Sequence, residues 1–281
     1  MNIFVSLKNL VIGRAHNISD RRIFHSMSLV ALLAWVGLGA DGLSSSCYGP
    51  EEAFKALGNH THLSLFVALA SIITIVVICA SYSQIIELFP TGGGGYLVAS
   101  KLLSPTAGVV SGAALLGDYV LTIALSVASG ADAIFSMLPE HYATYKVSFS
   151  AGAVIFLTVL NLRGVKESVI LWVPVFFVFV GTYTFGIIWA ISAHFGDLPQ
   201  IAQGVTTDIH AGAAEVGLIG MLAVMLRAYG LGAGTYTGIE AVSNAVNTLR
   251  EPRVQTGKRT MLYMAVSLSF VVGGLLLAYL L

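Results

Sequence analysis

The chain alternates long apolar runs with short polar punctuation, and the runs are long enough to be helices crossing a bilayer. They lie near 27–57, 64–89, 106–131, 147–162, 168–194, 214–249 and 261–281. A helix needs about 20 predominantly apolar residues to cross the hydrocarbon, and apart from the shorter fourth run each segment meets that length. None shows the ten-residue alternation of barrel strands. The pattern therefore predicts an all-α polytopic membrane protein with about seven transmembrane helices.

The first and sixth runs are interrupted. In the first, Asp41, Ser44, Ser45, Ser46, Tyr48 and then Gly49-Pro50 fall where hydrocarbon should continue. In the sixth, Gly230, Gly232 and Gly234 lie within five residues and are followed by Thr235, Tyr236, Thr237 and Gly238. Each glycine costs up to ~1 kcal/mol in a helix interior, so this run is a poor helix centre. The two interrupted spans are five helices apart and run in opposite directions. Matched breaks in two inverted halves mark the substrate or ion site of a transporter.

Charge sets the orientation. With the N-terminus in the cytoplasm, Lys8, Arg14, Arg21, Arg22, Lys101, Arg163, Lys166, Arg250, Arg253, Lys258 and Arg259 share the inner side, against Lys55 and Lys146 outside and Arg227 within a span. Residues 195–213, read as a long outer loop, hold no lysine or arginine. Residues 90–96 read as a cytoplasmic turn, and 96–103 as a short interfacial helix. No cleavable signal peptide precedes the first span.

Composition sharpens this picture. Only 10% of the 281 residues are charged, against about 25% in soluble domains, and 56% are hydrophobic, so the lipid bilayer is the solvent and the first partner. Fourteen basic residues balance fourteen acidic ones, which points away from nucleic acid. Cys47 and Cys79 read as free buried thiols. The histidines lack metal-ligand spacing, so no transition metal is expected. No serine–histidine–acid set can be located, and the tetraglycine run lacks the lysine of a phosphate loop. The chain reads as a non-enzyme without an organic cofactor.

Candidate chemistry begins at Asp41, about 15 residues or ~22 Å into the first span at helical rise. A carboxylate at that depth costs roughly 2.5–3.5 kcal/mol on insertion scales and is usually functional. Opened backbone carbonyls and the hydroxyls of Ser44, Ser45, Ser46 and Tyr48 would complete the oxygen shell that a hard cation wants. Asp118, Thr122 and Ser126, spaced i, i+4, i+8, draw a polar stripe down one face of the third span. Glu240, two residues past Gly238, is either a desolvated proton carrier or a first-turn acid of the inner half-helix. Glu51 and Glu52, after Pro50, read as first-turn acids complementing the helix dipole.

Four segments carry a family resemblance: Asp41 to Tyr48, Phe89 to Tyr96, Asn161 to Ser168 and Thr237 to Asn244. Together they resemble the amino acid–polyamine–organocation (APC) transporter superfamily and, within it, the KimA-type potassium–proton symporters. The resemblance implies a LeuT-like fold with helices 1 and 6 discontinuous. It further implies potassium bound around Asp41, Tyr48, Asp118, Thr122, Ser126 and Thr237, with Glu240 as the proton-coupling acid. Residues 1–25 would be a cytoplasmic N-terminus, 26–194 the first five-helix repeat, and 214–281 the first two helices of the inverted second repeat. The resemblance implies ten to twelve spans, so the remaining helices are expected from further sequence, from a second copy or from another polypeptide. The expected function is proton-coupled potassium uptake across the plasma membrane by a multi-pass symporter. An amino-acid or polyamine permease is the alternative of the same class. A truncated membrane protein with an interaction or regulatory role is the alternative of another.

Overall fold

The computed structural model describes residues 28–163 and 165–281. The basic N-terminal residues Lys8, Arg14, Arg21 and Arg22 lie outside the described residues, as does Gly164 within the third resemblance segment. Eleven α-helices are present among the described residues: α1 (Ala31–Ser45), α2 (Gly49–Ala56), α3 (Ser64–Leu88), α4 (Gly94–Val98), α5 (Pro105–Phe135), α6 (Lys146–Arg163), α7 (Val165–Ala193), α8 (Leu198–Glu215), α9 (Gly217–Leu231), α10 (Ala241–Asn244) and α11 (Arg253–Ala278). Among the described residues six stretches are long and apolar enough to cross a membrane, the fifth running from Gly217 to Asn244 through its break. The first span is the pair α1 and α2, each half too short to cross alone.

The residues fall into two compact units, 28–29 with 95–172 and 30–94 with 173–281. In the first unit, Ser104 caps α5 by accepting from the Ala107 N–H (3.0 Å), with Pro105 at the position where its missing N–H costs nothing. The interfacial segment forms as α4 followed by a π-helical turn, Ala99–Leu103. Gly108 lets α5 close onto Ser100, where any β-carbon would overlap the serine side chain. At the other end, Asp132 pairs with Lys146 and Phe135 meets Phe149 edge-on at 5.6 Å.

The second unit holds both broken spans. Its centre is α3 against α11, where Ile75, Ile86, Met264 and Leu268 are fully or almost fully buried. Small residues bring the backbones together, as they do wherever lipid supplies no hydrophobic drive between helices. A β-carbon on Gly257 would stand 3.2 Å from Ile86, and one on Gly39 3.2 Å from Met264. Trp35 of α1 is seated edge-on to Phe176 at 4.8 Å and donates its indole N–H to Ser267 Oγ at 3.2 Å. Large apolar side chains such as Leu69, Val77 and Trp189 stay exposed, as lipid-facing surface requires. Lys258 of α11 pairs with Glu87 of α3.

One expectation is corrected. Most of residues 195–213 are not an irregular loop: after a short 3-10 turn, they form α8. Ile201, Val205 and Ile209 recur every four residues, which gives α8 an apolar face to bury, and Pro199 suits its first turn.

Candidate functional site

The first break is built by local hydrogen bonding. α1 remains helical through Asp41 and ends at Ser45, so the interruption falls at residues 46–48, beyond the acid where the sequence located it. An aspartate does not oblige a helix to stop, and the serines that follow satisfy its last carbonyls. Ser44 Oγ donates to the Asp41 carbonyl at 2.8 Å and Ser46 Oγ to the Gly42 carbonyl at 3.0 Å. Both protons are thereby committed to the helix end. Cys47 N and Tyr48 N donate to the Ser44 and Ser45 carbonyls (3.1 and 3.3 Å), tightening the last turn. Gly49-Pro50 then restarts the chain as α2, with Glu51 and Glu52 in its first turn and Lys55 paired to both.

The second break follows α9. A 3-10 turn spans Gly232–Tyr236, Thr237 is extended (φ −64°, ψ 148°), and Gly238 adopts φ +82°. Thr237 Oγ1 donates to the Gly234 carbonyl at 2.8 Å, holding the extended residue against the turn. Glu240, half-buried, immediately precedes the four-residue α10.

The two breaks meet. Ser45 Oγ and Thr237 Oγ1 are 3.2 Å apart, and the Tyr48 hydroxyl donates to Ser45 Oγ at 2.9 Å. The approach depends on glycine. A β-carbon on Gly238 would stand 2.7 Å from Asp41 Cβ and 2.8 Å from its Oδ2, and one on Gly42 would stand 3.2 Å from the Thr237 carbonyl oxygen. A β-carbon on Gly49 would overlap the Thr235 hydroxyl. The Asp41 carboxylate, the Ser45, Tyr48 and Thr237 hydroxyls and the Thr237 carbonyl therefore crowd one locality. Every group named is an oxygen donor, and one is a carboxyl group. Such a set is suited to a dehydrated hard cation.

Of the residues singled out in the sequence, the structure brings Asp41, Tyr48 and Thr237 together, with Glu240 three residues beyond. Asp118, Thr122 and Ser126 form a stripe on one face of α5 in the other unit, the first two half-buried and Ser126 exposed. Ser45 emerges as the link between the breaks. Sequence offered it only as one of three adjacent serines.

Sequence reasoning missed the supports. Tyr236 donates to Ser71 Oγ of α3 at 2.9 Å, and the Tyr229 hydroxyl lies 2.8 Å from Thr74 Oγ1 one turn along the same helix. The seven-residue spacing of the tyrosines was legible, but the helix receiving them was not. Tyr236→Phe should cost about 1 kcal/mol, the net worth of one hydrogen bond. Combined with Ser71→Ala it should show a coupling of 0.5 kcal/mol or more by double-mutant cycle in thermal unfolding, on the order found for bonded pairs. The glycine run is a further support. Gly92, Gly93 and Gly94 all have positive φ, and Gly93 N donates to the Asn244 carbonyl at 3.2 Å, so this turn docks on α10.

Two discontinuous helices meeting at oxygen-lined breaks within an all-helical membrane chain are the architecture of the LeuT-like fold. The chain belongs to the amino acid permease family, whose model matches residues 28–281. Its six membrane-capable stretches among the described residues make it a multi-pass membrane chain of that family. It is also similar to "Potassium transporter KimA" of Bacillus subtilis (strain 168), with 30% identity over 283 residues, 99% of this chain and 45% of that relative. The chain thus spans less than half the length of this curated relative.

Proposed function

We propose that this chain carries the ion site of a proton-coupled potassium importer that works by alternating access in the plasma membrane. The observation that supports the reading most is the oxygen cluster at the meeting of the breaks, with the Asp41 carboxylate beside Gly238. A carboxylate there attracts a cation and repels the carboxylate of an amino acid. The similarity to a potassium transporter supports the same choice of substrate. In this reading Asp41, Tyr48 and Thr237 bind potassium, and Asp118, Thr122 and Ser126 of α5, with the same oxygen chemistry, are assigned to it as well. Glu240, next to the break, carries the coupled proton. Two short half-helices flanking each break allow the inner and outer ends of the path to rearrange around a fixed site.

The test is growth and rubidium or potassium uptake in cells lacking their own potassium importers, with this chain, completed by the remaining helices that the resemblance implies, as the added component. Rescue at low potassium that depends on the proton gradient is the expected result. Uptake of an amino acid or polyamine without potassium dependence would move the assignment to a permease of the same family. Membrane insertion without any uptake would leave the interaction or regulatory role.

A further inference from the structure

Away from the breaks, on the side opposite Arg250, Arg253, Lys258 and Arg259, two histidines meet two carboxylates across two elements. His60 and His62 lie in the short connection between α2 and α3, and Asp208 and Glu215 lie on α8. Asp208 Oδ2 accepts from the His62 backbone N–H at 3.0 Å and stands 3.1 Å from His62 Nδ1. His60 Nε2 stands 3.6 Å from Glu215 Oε2, an ion-pair distance beyond a neutral hydrogen bond. α8 is shaped for these rings. Gly204, Asp208, Gly212 and Glu215, at steps of four, four and three, share one face. A β-carbon on Gly204 would overlap the His62 ring, and one on Gly212 would stand 3.5 Å from His60 Cε1. Each imidazole therefore rests on a glycine with a carboxylate one turn farther along.

The pairs are partly shielded from solvent. The His60 and Asp208 side chains are 12% and 13% exposed, His62 is 32% and Glu215 65%. Beneath them a buried apolar cluster of Ala53, Leu57, Leu63, Val67, Met221 and Ala228 joins α2, α3 and α9. What holds α8 down thus also bears on the outer halves of both broken spans. No group of three or more His, Cys, Asp or Glu side chains that could hold a metal ion occurs among the described residues.

We propose that His60 and His62 form a proton-operated clasp that fastens α8 over the outer halves of the two broken spans. A neutral His62 already donates to Asp208. Protonation adds a positive charge to the donor of a bond whose acceptor is already a carboxylate, making it an ion pair, and creates a second ion pair where His60 faces Glu215. Imidazole is the side chain whose charge ordinarily changes between pH 5 and 8. Acid on the outer face therefore fastens the clasp, and alkali removes the Coulomb attraction from both pairs. The other charged groups on the surrounding elements do not compete. Glu51 and Glu52 pair with Lys55 (2.6 and 3.7 Å), and Glu87 pairs with Lys258 at the far end of α3. Asp197 is eleven residues from Asp208, His210 is exposed about 200° around α8 from it, and Arg227 lies ten residues into α9.

The test needs no knowledge of the transported substrate. Amide hydrogen exchange of residues 199–215 is followed in the purified protein in lipid nanodiscs at pH 5.5 and pH 7.5, corrected for intrinsic exchange. Protection should be about twofold to fivefold greater at pH 5.5, the worth of a partly exposed ion pair. It should lose that difference in His60→Gln/His62→Gln. Glu215→Gln, at an exposed position, should keep the fold and reduce the difference by removing only the partner of His60. Equal protection of the native protein at the two pH values would overturn the proposal, and so would a pH difference that survives in the double variant. Neither result depends on whether potassium is the substrate.

Discussion

Asp41→Asn should abolish potassium-dependent rescue while the protein still reaches the membrane. The amide keeps the size and planarity of the carboxylate, so the packing against Gly238 is preserved and the change removes charge alone. A unit charge about 4 Å from a monovalent cation is worth ~4 kcal/mol at an effective dielectric of 20. Allowing for the hydration that a looser site regains, the half-saturating potassium concentration should rise by at least ~100-fold, or about 2.7 kcal/mol. Concentration-dependent rubidium uptake, normalised to protein in the membrane, measures this directly. Unchanged uptake would remove Asp41 from the site. Asp41→Glu separates charge from geometry: it restores the charge but adds a methylene against Gly238, so it should recover only part of the affinity.

Gly238→Ala should be among the most damaging small substitutions in the second unit. The residue sits at φ +82°, where an L side chain costs roughly 1–2 kcal/mol. Its β-carbon would also press on Asp41 at 2.7 Å, adding an overpacking cost of about 1–3 kcal/mol unless the two breaks part. Parting them lengthens the Ser45–Thr237 contact and disperses the oxygens. A fall of several degrees in the thermal midpoint in detergent should accompany loss of uptake. Gly117→Ala and Gly181→Ala provide the controls. Both lie inside helices with nothing within 4 Å of the new carbon, so each should be neutral or stabilise by up to ~1 kcal/mol. Similar damage at all three positions would mean that glycine content, rather than close approach, matters.

The spans were legible because bilayer thickness imposes a length on apolar runs, and every run read from the sequence contains a helix. The two broken spans were legible for a related reason, since glycines, serines and Gly-Pro in hydrocarbon have few structural excuses. Where the first break falls was not legible. Helix ends are decided by which group satisfies the last carbonyls, and Ser44 and Ser46 do so three and five residues beyond the point where the acid attracted notice. α8 was hidden by low hydropathy, although Ile201, Val205 and Ile209 carried its period. Partners across the fold escaped because a sequence shows that Tyr236 has a hydroxyl but not that Ser71 receives it. The close approach of Gly238 to Asp41 is of the same kind.

The inner arm of the sixth span has an unusual proportion. α9 carries 15 residues before the break, whereas α10 carries four after it and gives way to a 3-10 turn at Val246–Thr248. Starting a helix fixes about three residues before the first bond repays them, so a four-residue helix has almost no propagation with which to recover that cost. α10 is therefore held by its surroundings, chiefly the burial of Val242 and Val246 and the bond from Gly93 to Asn244. Order at this end of the span should accordingly rest on its neighbours more than on its own hydrogen bonds, with the glycine turn that holds Asn244 among them.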